Sequence, residues 1–107
     1  MTLPPKTCSI ERLVTREDDV DRIIRGEKTA VRRNGRYADP DEQMIVKGRT
    51  FVIETVYVQK LGDMTDHDAQ REGFSDLQGY QAYLQTVHPG MPFVAKMPVW
   101  VHEFRAI

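Results

Sequence analysis

The stretch that most constrains the fold runs from Arg49 to Gln59. β-Branched and aromatic residues occupy both alternating sets of positions in it, namely Phe51, Ile53, Thr55 and Tyr57 on one set and Val52, Val56 and Val58 on the other. Apolar residues on both faces are typical of a strand that is covered on both sides. We therefore expect a central strand that crosses the core of the domain.

The remaining elements are predicted from caps, breakers and hydrophobic spacing. Strands are predicted over Lys6–Val14, Lys28–Arg33, Met44–Lys47 and Pro98–Arg105, and helices over Thr15–Arg25, from an N-cap at Thr65 to Gly73, and from an N-cap at Ser75 to Val87. The strands follow one another through turns rather than through regular helical crossovers. This order favours a mainly antiparallel α+β domain, and a small barrel closed by the last strand would leave no exposed edges.

Length and charge set the outer limits of function. The 107 residues are enough for one core, so residues 1–107 are expected to form a single domain, with residues 1–5 as a flexible tail. A formal charge of −1 gives no global attraction to phosphate, so any affinity for nucleic acid must come from a local patch. The single cysteine, Cys8, excludes an internal disulfide. With no membrane-length apolar run and no signal-peptide pattern, we expect a cytoplasmic protein without a membrane partner.

One segment departs from this near-neutral background. Basic side chains are concentrated over a short part of the chain, at Arg22, Arg25, Lys28, Arg32, Arg33 and Arg36. On a regular strand Lys28 and Arg32 share one face, whereas Thr29, Val31 and Arg33 share the other. A pair such as Lys28 and Arg32 is suited to phosphate contacts. The equally weighted alternative is a set of solvated surface charges.

Other chemistries find little support in the sequence. His67, His88 and His102 share no metal-ligand spacing with one another or with Cys8, so we expect no metal. No phosphate-binding loop, dinucleotide fingerprint or nucleophile elbow is present, so we expect no cofactor. Cys8 lies in an apparent strand, where a free cysteine usually packs as a small apolar residue.

Four segments follow one another along the chain: Gly26–Thr29 with Arg33 after it, Thr65–Gly73, His88–Gly90 and Val99–Phe104. Together they resemble the ASCH domain, a family with a PUA-like β-barrel. The first is similar to the signature segment of that family, the second to its helix ending in a glutamate, the third to its Tyr/His-Pro-Gly segment and the fourth to its closing strand. The resemblance extends from about Ile23 to Phe104. It implies a mixed, mainly antiparallel PUA-like barrel with flanking helices, a cleft, and RNA or modified nucleosides as ligands.

One branch of the family consists of small bacterial amidohydrolases that remove the acetyl group from N4-acetylcytidine. The resemblance implies that Lys28 matches their catalytic lysine and Glu72 their glutamate. Their catalytic threonine falls on Val31, which has no hydroxyl with which to attack or to hold a water. Thr29 could replace it only if a bulge or loop turned it toward Lys28, and a water activated by Lys28 or Glu72 is the other possibility.

Two classes of function follow. The first and favoured one is an RNA- or nucleotide-binding module whose basic cleft contains Lys28, Arg32, Arg33, Arg36 and Tyr37. An aromatic ring such as that of Tyr37, Tyr57 or Trp100 would stack on a base, although core packing is the more common role of a tryptophan in a closing strand. The second class is a nucleoside amidohydrolase in which Lys28 and Glu72, with Thr29 as a candidate nucleophile, are catalytic. A ribonuclease is a third and weaker possibility.

Overall fold

The computed structural model describes residue 6, residues 8–90 and residues 94–107, so the predicted tail at residues 1–5 lies outside the described residues. These residues form a sheet of four antiparallel strands in the order β1 (Ala30–Arg33), β4 (Pro98–Ala106), β3 (Arg49–Lys60) and β2 (Gln43–Val46). The sheet curls into a half-barrel, which confirms the predicted α+β, mainly antiparallel fold class and the central position of β3. Strand β4 joins β1 to β3 instead of closing the sheet.

A β-bulge in β3 decides which of its side chains face the candidate site. Ile53 and Thr55 pair with consecutive residues of β4, Phe104 and Glu103, so β3 contains one extra residue at this point. Odd-numbered residues of β3 face the first hydrophobic cluster before the bulge, and even-numbered residues do so after it. The single alternation predicted for the whole strand is therefore wrong beyond Ile53. The shift turns Gln59 to the face opposite that cluster.

Within the described part of the chain, three α-helices accompany the sheet: α1 (Glu17–Ile24), α2 (Asp66–Arg71) and α3 (Leu77–Val87). Thr65 caps α2 in a capping box, as predicted. Two other predicted caps are wrong. No side chain caps α1, which follows Arg16 rather than Thr15 and carries acidic residues in its first turn instead. Asp76 rather than Ser75 caps α3, because its carboxylate accepts the backbone N–H three residues further on.

The strand predicted over Lys6–Val14 is also wrong. The chain there contains a 3-10 turn at Ile10–Arg12 followed by the fully buried Leu13. Ile10 and Val14 pack beside Leu13 against the same cluster. Inward positions three and four residues apart fit a helical turn better than the two-residue period of a strand.

Two hydrophobic clusters cover the two faces of the sheet. The first contains Leu13, Ile23, Val31, Ala38, Met44, Val46, Phe51, Ile53 and Phe104, and the second contains Leu61, Met64, Ala69, Tyr80 and Val99. Strand β4 contributes Phe104 to the first cluster and Val99 to the second, since residues an odd number apart on a strand point to opposite faces. Within the described residues, no helix has both the length and the apolar character needed to cross a membrane.

Candidate functional site

The loop between α1 and β1 is held at both ends by main-chain hydrogen bonds. Gly26, at φ +78°, takes the left-handed conformation that ends α1 at the predicted place. The Lys28 N–H donates to the carbonyl oxygen of Arg22 at 3.2 Å. The Thr29 N–H donates to the carbonyl oxygen of Arg71 at 2.7 Å, which fastens the loop to the end of α2.

Lys28 and Glu72 meet directly. The Lys28 ammonium donates to Glu72 Oε1 at 2.5 Å and to the Glu72 main-chain oxygen at 3.3 Å. The two side chains are only 4% and 2% exposed, so water screens the contact little. Residues 44 positions apart in sequence are thus brought into one buried ion pair.

Arg32 binds the other oxygen of the same carboxylate. Its Nη1 donates to Glu72 Oε2 at 2.7 Å, while Nε and Nη2 donate to Gln59 Oε1 at 3.2 and 2.9 Å. Asp68 lies 3.6 Å from Nη2 and accepts from the Gln59 amide at 3.2 Å. Burial opposes ionisation of Asp68, but hydrogen bonds from Thr65 and Gln59 and the charge of Arg32 outweigh it and lower its pKa.

Asp19 of α1 is the fourth buried charged residue of this site, beside Lys28, Arg32 and Glu72. Its Oδ1 lies 3.6 Å from the Lys28 ammonium nitrogen, and its side chain is 6% exposed. We call Asp19, Lys28, Arg32 and Glu72 the buried ion cluster. It holds two cationic and two anionic side chains, so the formal charges of the four residues cancel. Because burying ions costs more desolvation energy than their attraction usually returns, such clusters are often retained for function rather than for stability.

A second set of polar side chains lies beside this cluster, and we call it the polar string: Thr29, Arg71, Glu103 and Tyr57. Arg71 donates to the Thr29 hydroxyl at 3.0 Å and pairs with Glu103 at 2.9 Å. The Tyr57 hydroxyl donates to Glu103 Oε2 at 2.9 Å. Partial burial, and then the hydrogen bond to Glu103, raises the pKa of Tyr57 to about 12. The Arg71 and Glu103 side chains are 27% and 20% exposed, so the string is more open to solvent.

The opposite face of β1 is structural. Val31 is fully buried in the first hydrophobic cluster and pairs across the sheet with His102. Arg33 donates to the main-chain oxygens of Arg32 and Leu13. Within β1 the predicted alternation holds, since Arg32 reaches Glu72 and Val31 and Arg33 do not. The predicted start of the strand at Lys28 is wrong: Lys28 and Thr29 lie in the loop before β1, and Thr29 accepts a hydrogen bond from Arg71 instead of sharing the face of Val31.

Arg36 and Tyr37 lie in the loop after β1, apart from the buried ion cluster. Arg36 donates to Asp39. The Tyr37 N–H donates to His102 Nε2 at 3.1 Å, and the two rings are edge to face with centroids 6.2 Å apart. Burial lowers the pKa of His102, whose Nδ1 lies 3.3 Å from the Val31 oxygen. A neutral ring that donates from Nδ1 fits both contacts.

The sequence analysis did not identify five polar residues of the buried ion cluster, the polar string and their contacts: Asp19, Gln59, Asp68, Arg71 and Glu103. Two of them carried a readable signal. Asp19 precedes the inward-facing Ile23 by four residues and so shares its helix face, and Asp68 stands four residues before Glu72. For Gln59 no local signal exists, because the bulge in β3 sets its direction.

The cavity that reaches Lys28 and Thr29 is small. It has a volume of about 110 Å³ and is otherwise lined mainly by apolar residues, including Ile23, Phe51 and Phe104. Ligand sites for drug-sized molecules usually measure about 300–1,000 Å³, so this cavity does not itself hold a nucleoside. No group of three or more His, Cys, Asp or Glu residues in the described ranges is arranged to bind a metal ion.

Solved structures show which fold this is. An ASCH domain from Lactobacillus crispatus JV V101 superposes with a TM-score of 0.70 over 92% of this chain and 78% of its own, at 15% identity. The chain has the fold of an ASCH domain. A DUF984 protein from Enterococcus faecalis V583 matches this ASCH fold with a TM-score of 0.59 at 14% identity, over 100% of this chain and 78% of its own. No protein-family model matches the sequence, and no curated protein is similar to it.

Proposed function

We propose that this ASCH-fold protein binds an uncharged nucleoside, or an unpaired base of RNA, where the buried ion cluster meets the polar string. The observation that carries the proposal is the pairing of Lys28 and Arg32 with the two oxygens of Glu72. A phosphate would have to displace a buried carboxylate from both cations. A ligand that offers neutral donors and acceptors adds no further charge to the site.

The polar string supplies the groups that such a ligand needs. The Glu103 carboxylate is an acceptor, the Arg71 guanidinium is a donor, and the Tyr57 hydroxyl serves as either. These side chains are partly exposed, unlike those of the buried ion cluster. Nucleobases carry donors and acceptors along their edges, and proteins read unpaired bases through such edges. The proposal therefore assigns recognition to the string, with the cluster as its rigid, charge-balanced floor.

Binding and its salt dependence test this proposal. Cytidine, N4-acetylcytidine and cytidine monophosphate would be titrated into the protein at low and high salt, followed by amide chemical shifts. We expect similar dissociation constants for nucleoside and nucleotide and little effect of salt, since no phosphate contact is required. Glu103→Gln should weaken binding, whereas Glu54→Gln, which changes an exposed carboxylate on β3, should not. Affinity confined to the nucleotide and steeply lost with salt would contradict the proposal.

The 2.5 Å contact between Lys28 and Glu72 favours a second candidate, an amidohydrolase acting on an N-acetylated nucleoside. In this scheme Glu72 accepts a proton from a water whose oxygen attacks the acyl carbon. The Lys28 ammonium stabilises the oxyanion, and the acyl C–N bond then breaks as Glu72 returns the proton to the leaving nitrogen. The products are acetate and the free amine. The Thr29 hydroxyl already accepts a hydrogen bond from Arg71, which favours water over Thr29 as nucleophile.

Incubation with N4-acetylcytidine distinguishes these roles. We expect turnover by the unmodified protein and by Thr29→Val, but none by Lys28→Ala or Glu72→Gln. Loss of turnover in Thr29→Val with an unchanged fold would transfer the role of nucleophile to Thr29. Absence of turnover in the unmodified protein, with binding intact, would leave the protein as a binding module.

A further inference from the structure

Asp19 is a buried carboxylate with an unused oxygen. Within the described chain, its Oδ1 is inaccessible to solvent and accepts no hydrogen bond. An unsatisfied buried acceptor destabilises the folded state, and more so when it is charged. The nearest opposite charge is the Lys28 ammonium nitrogen, 3.6 Å away.

The geometry around Lys28 explains why the contact is incomplete. An ammonium has three N–H donors, and two of them are directed at Glu72, one at Oε1 and one at its main-chain oxygen. The third is available for Asp19, but 3.6 Å exceeds the usual 2.7–3.2 Å range of an N–H···O bond. A displacement of Lys28 Nζ toward Asp19 by about 0.4 Å would bring this contact into that range.

We propose that Asp19 is a positioning residue, a second anchor that takes over the Lys28 ammonium when the Glu72 carboxylate is engaged elsewhere. Lys28 thus has two states, one held by Glu72 from the end of α2 and one held by Asp19 from α1. Without Asp19, any event that neutralised or occupied Glu72 would leave Lys28 as an unpaired buried charge, which is strongly unfavourable. The exchange is a property of the protein alone.

The functional role of this exchange of Lys28 between Glu72 and Asp19 rests on the proposed function. A nucleoside that donates a hydrogen bond to Glu72, or a water that gives it a proton, removes the partner of Lys28. Asp19 keeps the ammonium paired and in place during that step. Arg32 needs no such substitute, because Gln59 and Asp68 already contact it.

The ammonium resonance of Lys28, observed by ¹H–¹⁵N NMR, tests the exchange without any ligand. Buried, paired ammonium groups exchange protons with water slowly enough to be detected, and Lys28→Met assigns the signal. In Glu72→Gln the resonance should persist at a shifted position, because Asp19 holds it. In Asp19→Asn/Glu72→Gln it should disappear. In Asp21→Asn/Glu72→Gln it should persist, since Asp21 is an exposed carboxylate of the same helix, paired with Lys47.

Two results would overturn the second anchor: a resonance that survives in Asp19→Asn/Glu72→Gln, or one already lost in Glu72→Gln. If Glu72→Gln does not fold, Glu72→Asp replaces it, since the shorter side chain retracts the carboxylate and keeps its charge. Addition of cytidine to the unmodified protein should shift the resonance in the same direction as Glu72→Gln. If the variants behave as expected and cytidine has no effect, the proposed function fails and the second anchor stands.

Discussion

The buried ion cluster and the polar string contain similar bonds in different surroundings. Lys28–Glu72 and Arg71–Glu103 are both close ion pairs, at 2.5 and 2.9 Å. The first pair is at most 4% exposed and the second is 20–27% exposed. The attraction between two charges is several times stronger away from water, and so is the cost of leaving one of them alone. Two ion pairs of similar length can therefore differ widely in how much their loss destabilises the folded protein.

The difference suggests a division of labour. The cluster is closed, charge-balanced and costly to disturb, which suits a rigid floor or a proton-transfer pair. The string is open enough to exchange its hydrogen bonds with a ligand at small cost. The experiments below test that difference, and they are arranged from the largest expected effect to the smallest.

Glu72→Ala should produce the largest loss of stability. The substitution leaves Lys28 and Arg32 as buried cations without their shared carboxylate, and breaking a buried pair typically costs about 3–5 kcal/mol. Urea denaturation followed by circular dichroism measures the change. The matched control is Glu27→Ala, which removes an exposed carboxylate paired with Arg25 and should leave the midpoint unchanged. If the two substitutions lowered the stability equally, the proposed difference between buried and exposed ion pairs would be contradicted.

Val31→Thr should destabilise the folded state by about 1–3 kcal/mol and should not raise the turnover of N4-acetylcytidine. The substitution supplies the hydroxyl that the catalytic pattern lacks, but on the face of β1 that packs in the first hydrophobic cluster. A buried hydroxyl without a partner is destabilising, and this one would point away from Lys28 and Glu72. Denaturant titration and N4-acetylcytidine turnover check the two parts. A gain of turnover would mean that a hydroxyl at position 31 reaches Lys28 and Glu72, which would contradict the separation of the two faces of β1.

Glu103→Gln should have a smaller effect on stability, about 1 kcal/mol or less, because the pair with Arg71 is partly exposed. It should also lower the pKa of Tyr57 from about 12, since the hydrogen bond to Glu103 is the second cause of the shift after burial. The ring ¹³C resonance of Tyr57 measures this. An unchanged pKa would assign the whole shift to burial.

The raised pKa of Tyr57 also predicts the direction in which the stability of the folded protein changes with pH. A phenol whose pKa is raised in the folded state retains its proton there while the unfolded chain loses it. The stabilisation is therefore complete below about pH 10 and is lost as the pH rises toward 12. Urea midpoints across this range should fall less in Tyr57→Phe than in the unmodified protein. Identical curves would contradict the assignment.

The fold was largely predictable from local signals. The two-sided apolar character of Arg49–Gln59, the cap at Thr65 and the glycine at Gly26 each act within a few residues, so the sequence alone indicated them. The wrong predictions have different causes. At residues 8–14, packing of Ile10 and Leu13 against the first hydrophobic cluster accompanies a 3-10 turn in place of the predicted strand. In β3, a bulge without a local sequence signal reverses the alternation beyond Ile53.

The sequence by itself determined that Arg32 lies on one face of β1 and Val31 on the other, because the two-residue period of a strand is a local property. Only the tertiary structure decided what those faces meet. It brought Glu72 from 44 residues away and Asp19 from α1 onto Lys28, and the bulge in β3 turned Gln59 toward Arg32. Two of the basic residues thus lie in a charge-balanced cluster. Their carboxylate partners are distant in sequence, so the spacing of residues along the chain does not reveal them.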